Sequence, residues 1–330
     1  MPEGASHEGK DEDGNDIFRV SIPLDESGHF GRQCPSCSQV FRIRHEDYDA
    51  LPDDLQLWCV YCGHVDDHSV FLTDQQRERL TRVVSDYGTQ MINGMLSESF
   101  GDLARGSRSN DFVKITYRSE PFYPQPLPGI NEEQLVRERE CSTCGVHYAV
   151  FGDHRFCPIS GPLAPSVIAT DAFSAEASKL DALSAVASEA VAVLKEQGVF
   201  DRIYADTVKS VVTVVETFAE RTFRDAVSGA EKHLKGKGNV FQRLDDTADL
   251  FLKHRNFDLR NVDGVNWPIL IELWAARHVY THNDGLVDDR YLAAVPTSAL
   301  IVGQRLRLTE SDARLAIEQA GRLCDAIGRS

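Results

Sequence analysis

Arg277, His278 and His282 are the residues of this chain best suited to proton transfer and phosphate chemistry. Histidine titrates close enough to neutral pH to give or take a proton. Arginine carries a permanent charge on a planar fork that matches phosphate oxygens. All three fall in Glu272-Leu-Trp-Ala-Ala-Arg277-His278-Val-Tyr-Thr-His282-Asn283-Asp284-Gly285, which has the pattern of a buried helix coming to its end. Ile269, Leu270, Leu273 and Trp274 are apolar at helical spacing, and Ala275 and Ala276 permit close packing. Pro268 suits a first turn, and Asn283 and Gly285 are stop residues.

Helix geometry limits how these groups can combine. Residues five apart on an ideal helix lie about 140° apart, so Arg277 and His282 do not share a face of a straight helix. His278 and His282, four apart, do. Arg277 and His282 meet if the helix loosens at His282, or across a two-fold axis where two copies build one site. Two further readings use the same residues. Arg277 pairs with a carboxylate while the histidines decorate a helix end whose dipole favours cations, or His278 and His282 ligate a metal.

The spacing Arg277-x-x-x-x-His282 with polar His278 after the arginine, the Trp-bearing helix before it, His-Asn-Asp-Gly at its end and Val287-Asp-Asp-Arg-Tyr-Leu292 beyond resemble the HEPN superfamily. These are helical domains of RNases in toxin–antitoxin, CRISPR and other defence systems, and the likeness covers the last third of the chain. It implies a helical bundle, RNA as substrate, and a composite site in a homodimer. It also implies a glutamate of an earlier helix beside the Arg–His pair, which is Glu220 here. The competing reading of Glu220 is a solvated ion pair with Arg224, four residues on.

RNA carries its own nucleophile, the 2′-OH, so such a site needs an acid, a base and a charge-stabilising group and no catalytic metal. His282 is the expected acid/base and Arg277 the stabiliser of the phosphorane, with His278 orienting Arg277 or the substrate. The expected product is a 2′,3′-cyclic phosphate. Lys232, Lys235 and Lys237, in a basic glycine-rich turn, are candidates for phosphate contact, although such a turn is more often simply an exposed connection. The competing class is a catalytically inactive regulatory protein that binds nucleic acid or a partner. A possible antitoxin or regulatory partner belongs to either class.

The second chemistry is metal binding. The chain has eight cysteines. Cys34-x-x-Cys37 and Cys59-x-x-Cys62-Gly63 give four thiolates in two tight pairs, the ligand set of a closed, structural zinc site. Cys141-x-x-Cys144-Gly145 begins a second ribbon, but Ser160 stands where the last cysteine of Cys157-Pro-Ile-Ser160-Gly161 would be. Two readings stay open there: a Cys₃His site completed by His154 or His147, or a ribbon that has lost its metal. Cys324 lies in an apolar helix pattern.

The elements that position these groups follow from composition. The expected fold class is α+β and multidomain, with small β zinc ribbons on the N-terminal side and an all-α bundle on the C-terminal side. Residues 1–16 are polar and acidic and read as a disordered tail. Residues 17–72 form the first ribbon. Residues 73–130 hold a helix capped by Thr73 with Gln76, a strand at Asp111 to Tyr117, and a connector with Pro121, Pro124, Pro126 and Pro128. Residues 131–165 form the degenerate ribbon and residues 171–330 the helical domain. There helices are expected from Asp171 to Gln197, from Asp201 toward Leu234, from Val240 to His254, and after Thr309. The chain of 330 residues carries a net charge of −16, so RNA contact requires a local basic patch. No stretch is apolar enough for a membrane span and no signal peptide is evident, so a cytoplasmic setting without a membrane partner is expected.

Overall fold

The computed structural model describes residues 3–52, 54–107, 126, 127, 130 and 137–330. It divides the chain into two units, Met1–Pro162 and Leu163–Ser330. The first holds the short antiparallel strands together with one short and one long α-helix, and the second is built of helices. No helix among the described residues is long and apolar enough to cross a membrane.

The first unit opens with a hairpin of β1 (Ala5–Lys10) and β2 (Asp16–Val20), where a disordered acidic tail is expected from composition. Asp11 closes its turn by accepting from the Asn15 backbone N–H at 2.8 Å and from its side-chain amide at 3.0 Å. Gly14 supplies the left-handed residue at φ 87°. The polar run therefore encodes a turn as well as solvation.

There follow β3 (His29–Gln33), β4 (Val40–Arg44), α1 (His45–Asp49), β5 (Gln56–Trp58), β6 (Val65–Asp67) and α2 (Asp74–Ser107). Thr73 and Gln76 cap α2 reciprocally, each side chain accepting from the other's backbone N–H at 3.2 and 3.1 Å. The expected strand at Asp111 to Tyr117 and most of the proline connector lie outside the described residues. Then come β7 (Glu138–Glu140), β8 (His147–Val150), β9 (Phe156–Cys157) and β10 (Gly161–Pro162).

The two ribbons are not separate domains, because their strands join in one sheet of order β3-β4-β8-β7. The register is two-fold symmetric. Arg42 pairs with Ala149, Phe41 with Val150 and Ile43 with Tyr148, and Arg42 and Ala149 each stand five residues past the second cysteine of their knuckle. The same relation links the later knuckles: the N–H of Trp58 donates to the Pro158 carbonyl at 2.9 Å, and that of Phe156 to the Val60 carbonyl at 3.1 Å. The Trp58 and Phe156 rings stack with centroids 5.8 Å apart. Phe41, Ile43, Leu57, Phe71 and Tyr148 form the buried interior. Burying both ribbons against each other compensates for how little apolar surface one such module can hide alone.

The second unit begins with α3 (Pro165–Ser184) and α4 (Ser188–Glu196), which together cover the expected first helix with a break between them. The valine-rich segment is helical throughout α5 (Val199–Ala226). Val208, Val211, Val212, Val215, Phe218, Ala219 and Phe223 recur at helical spacing and are all buried, which offsets the poor helix propensity of valine. A short α6 (Ala230–Leu234) and α7 (Leu244–Arg255) lead to α8 (Trp267–His282). Next are α9 (Asp289–Ala294) and α10 (Glu310–Arg329), the last opened by a Thr309–Asp312 capping box. α5 is the central helix, packed against α3, α8 and α10.

Candidate metal centres and an Arg–His cavity

In the first unit four knuckles present their side chains in two groups. Cys34, Cys37, Cys59 and Cys62 form one, with Sγ atoms 3.7 Å apart for Cys34–Cys62 and 3.6 Å for Cys37–Cys59. Zinc–sulfur bonds of about 2.3 Å at tetrahedral corners put sulfurs roughly 3.8 Å apart, so this set has the dimensions to hold zinc. Backbone N–H groups of Ser36 and Cys37 point at the Cys34 sulfur, 3.3 and 3.5 Å away, and would share the charge of a bound thiolate.

Cys141, Cys144 and Cys157 form the second group, with the Cys144 and Cys157 sulfurs 3.6 Å apart. Its fourth corner goes to Ser160, whose Oγ lies 3.3 Å from the Cys141 Sγ. His154 does not fill it: its Nε2 meets the Tyr148 hydroxyl at 3.0 Å in the interior. His147 is held by Asp47, which lies 2.8 Å from its Nδ1. The reason is backbone geometry. The residue after each second ligand position is left-handed in all four knuckles: Ser38, Gly63, Gly145 and Gly161 at φ 60°, 73°, 77° and 79°. The Cys157-to-Gly161 turn thus retains the knuckle frame and carries Ser160 to the corner.

In the second unit Asn266 caps α8 by accepting from the Ile269 N–H at 3.4 Å. Its other end is the stop expected from Asn283 and Gly285, whose N–H groups both donate to the Val279 carbonyl, at 2.9 and 3.2 Å. Gly285 is left-handed at φ 79°. Arg277, His278 and His282 all line one open cavity of about 660 Å³, together with Arg243, Trp274 and Arg290. The His278 and His282 rings lie 4.8 Å apart, centroid to centroid. Arg277 and His278 are half-buried and His282 is exposed.

Glu216, not Glu220, is the glutamate beside this site. It reaches Arg277 at 3.8 Å from the buried face of α5. Burial raises its carboxyl above the usual range, and the Arg277 charge opposes that shift only in part. Glu220 is tied instead to the Arg224 guanidinium at 2.7 Å, and Arg224 also pairs with Glu231. Burial, then the charges of Arg290 and His282, lower the His278 pKa, with Asp288 opposing from 3.9 Å. Asp288 itself is held low, first by the Tyr291 N–H, while Asn283 also donates to it at 2.6 Å.

Of the basic turn, Lys235 lines a neighbouring cavity with Glu216, Glu220 and Asn239, whereas Lys232 and Lys237 line neither. Arg243 and Glu216 escape sequence reasoning because no short spacing links them to Arg277, and Arg290 enters it only as part of the Val287–Leu292 segment, with no role assigned. The cavity brings imidazole and guanidinium groups together with the Asp245 and Asp246 carboxylates, Asp246 being paired with Arg243, so Arg277, His278, His282 and Arg290 are the groups there suited to bind an anion or move a proton. Comparison with models of protein families, with curated proteins and with solved structures found no significant match to this chain.

Proposed function

We propose that the second unit is a HEPN-type endoribonuclease of a bacterial defence or toxin system that cleaves RNA through the 2′-OH. The observation that carries this reading is the gathering of Arg277, His278 and His282 around one open cavity at the end of α8. His282, exposed to solvent, is the general acid/base. Arg277 stabilises the phosphorane, while Glu216 holds its guanidinium from the buried side. His278, depressed in pKa, stays neutral at physiological pH and orients rather than transfers the proton. One imidazole performs one proton transfer at a time, so two copies of the cavity in a homodimer would supply both acid and base. Arg290 adds positive charge to that of Arg277 at the cavity, whereas Arg243 is paired there with Asp246, so RNA binding against the net charge of the chain would rest on Arg277 and Arg290. The paired ribbons of the first unit would hold structural zinc.

The second reading is a regulatory module that binds nucleic acid or a protein partner without cutting. The Arg277–Glu216 pair favours it, because a plain ion pair needs no substrate. Incubating the purified dimer with a mixed RNA pool, in EDTA too mild to strip the ribbons, separates the two. Cleavage that leaves 2′,3′-cyclic phosphates and disappears in His282→Ala and Arg277→Ala supports the nuclease. Salt-sensitive RNA binding without cleavage by the folded, zinc-loaded protein would replace it with the binding module.

A further inference from the structure

We propose that the second ribbon is an exchangeable zinc site, held by three thiolates with Ser160 at a replaceable corner, beside a permanent four-thiolate site in the first ribbon. The two sites share one backbone plan, so their difference lies in that one ligand. Both are built from paired knuckles with left-handed residues at the same position, and the ribbons face each other across a two-fold register. In the first, four sulfurs are gathered that would close the coordination sphere of a bound zinc. In the second, the Ser160 hydroxyl stands 3.3 Å from the Cys141 sulfur.

A neutral hydroxyl is a poor substitute for a thiolate on zinc. It brings no charge unless it loses a proton, and as a hard oxygen donor it suits zinc less well than sulfur. No histidine or carboxylate makes up the deficit: among the described residues none joins Cys141, Cys144 and Cys157 within ligand range. His154 and His147 are engaged with Tyr148 and Asp47. The weak corner is also the open one, since Ser160 and Cys144 are both exposed while Cys141 and Cys157 are buried. Water or a competing ligand can therefore attack the metal at the position that holds it least.

The protein scaffold lets this exchange proceed without unfolding. A Cβ on Gly161 would lie 2.9 Å from the Trp58 ring, and one on Gly63 would lie 2.5 Å from the Phe156 ring, so each ribbon's last turn is clamped by the other's aromatic residue. β8 of the second ribbon is hydrogen-bonded to β4 of the first. When zinc leaves the second site, these contacts and the first site keep its strands in place, and the vacated thiols stay arranged for reloading. Occupancy of the second ribbon then follows zinc availability, whereas that of the first does not.

The test uses the full zinc-loaded chain, with metal content measured by elemental analysis and release followed with the chromogenic chelator 4-(2-pyridylazo)resorcinol at neutral pH. Two zinc ions per chain are expected, one leaving at least about a hundredfold faster than the other, the upper end of what losing a supporting outer-shell contact does. Ser160→Cys should merge the fast phase into the slow one. Cys141→Ser should remove the fast phase and leave the slow one intact, and Cys62→Ser should convert the slow phase into a fast one. A single zinc per chain that Cys141→Ser does not change would overturn the proposal. So would two ions released at one rate, or a fast phase that survives Ser160→Cys.

Discussion

Arg42 and Ala149 sit opposite each other on β4 and β8, at equivalent positions of the two ribbons and at the centre of their two-fold register. Only one side of that axis carries a long side chain. Arg42 is almost wholly buried and its Nη1 reaches the Asp25 carboxylate at 2.7 Å. Burial alone would raise the Asp25 carboxyl, but the His29 N–H, Arg42 and the Ser27 N–H together hold it below the usual range.

Breaking a buried pair from one side leaves the other charge uncompensated, so Arg42→Ala should destabilise the first unit by about 3–5 kcal/mol. Hydrogen exchange at the β3, β4 and β8 amides, at fixed zinc, reads this directly. Because the Asp25 pKa is depressed, its stabilising contribution is present above the unfolded carboxylate value and fades as pH falls through the lower folded one. Asp25→Asn should flatten that acid limb; an unchanged limb would remove Asp25 from the account.

Gly63 and Gly145 occupy the same place in their knuckles yet should respond differently to alanine. Both are left-handed, which costs a side chain about 1–2 kcal/mol. A Cβ at Gly145 meets nothing within 4 Å, whereas at Gly63 it meets Phe156 at 2.5 Å. Gly145→Ala should therefore cost only the backbone strain, and Gly63→Ala should cost more and displace Phe156 from Trp58. Melting temperatures and Trp58 fluorescence distinguish the two. Equal losses would mean that the ring moves aside freely.

Local signals were legible and non-local ones were not. The cysteine pairs, the Thr73–Gln76 capping box, the helix start after Thr309 and the α8 terminus at Asn283 and Gly285 depend on residues a few positions apart, and the structure has them where the spacing puts them. The joining of the ribbons depends on β4 meeting β8, about a hundred residues on, which no window along the chain reveals. His154 was the chemically better ligand, but the Cys-x-x-Ser-Gly backbone frame carries Ser160 to the corner, so frame outweighs ligand preference. Glu216 and Glu220 share a helix face, and only the way α5 lies on α8 turns Glu216 toward Arg277 and leaves Glu220 with Arg224.

That difference predicts opposite outcomes for two similar substitutions. Glu220→Ala removes an i,i+4 pair at the surface and should cost about 0.3–0.5 kcal/mol; if the second unit is the nuclease proposed above, cleavage should be unchanged. Glu216→Gln removes the buried partner of Arg277 and, on the same proposed nuclease reading, should lower cleavage by weakening the hold on the guanidinium. It should not destabilise the second unit at neutral pH. A carboxyl with a raised folded pKa stabilises most below the unfolded value of 4.5, and that contribution is lost as pH rises through the folded value. Urea titrations across that range should show wild type losing stability as pH rises, with the slope reduced in Glu216→Gln. A steeper loss in the variant would mean that the Coulomb attraction of Arg277 outweighs the burial of Glu216.

His278 offers the most direct reading of the cavity's electrostatics. Burial disfavours its charged form first, the Arg290 and His282 charges add to that, and Asp288 opposes. Its titration midpoint, followed through imidazole nitrogen shifts, should fall below the ordinary 6.5. Arg290→Ala should raise it by removing a repulsive charge, and Asp288→Asn should lower it further. Since the folded pKa is depressed, the associated stability is present above the unfolded value and is lost as pH falls through the folded one. The same titration bears on the nuclease reading proposed above. A neutral His278 can accept a hydrogen bond from substrate or arginine and leave the proton transfer proposed above to His282, whose ring lies 4.8 Å away, so a His278 midpoint above neutrality would reverse the proposed roles.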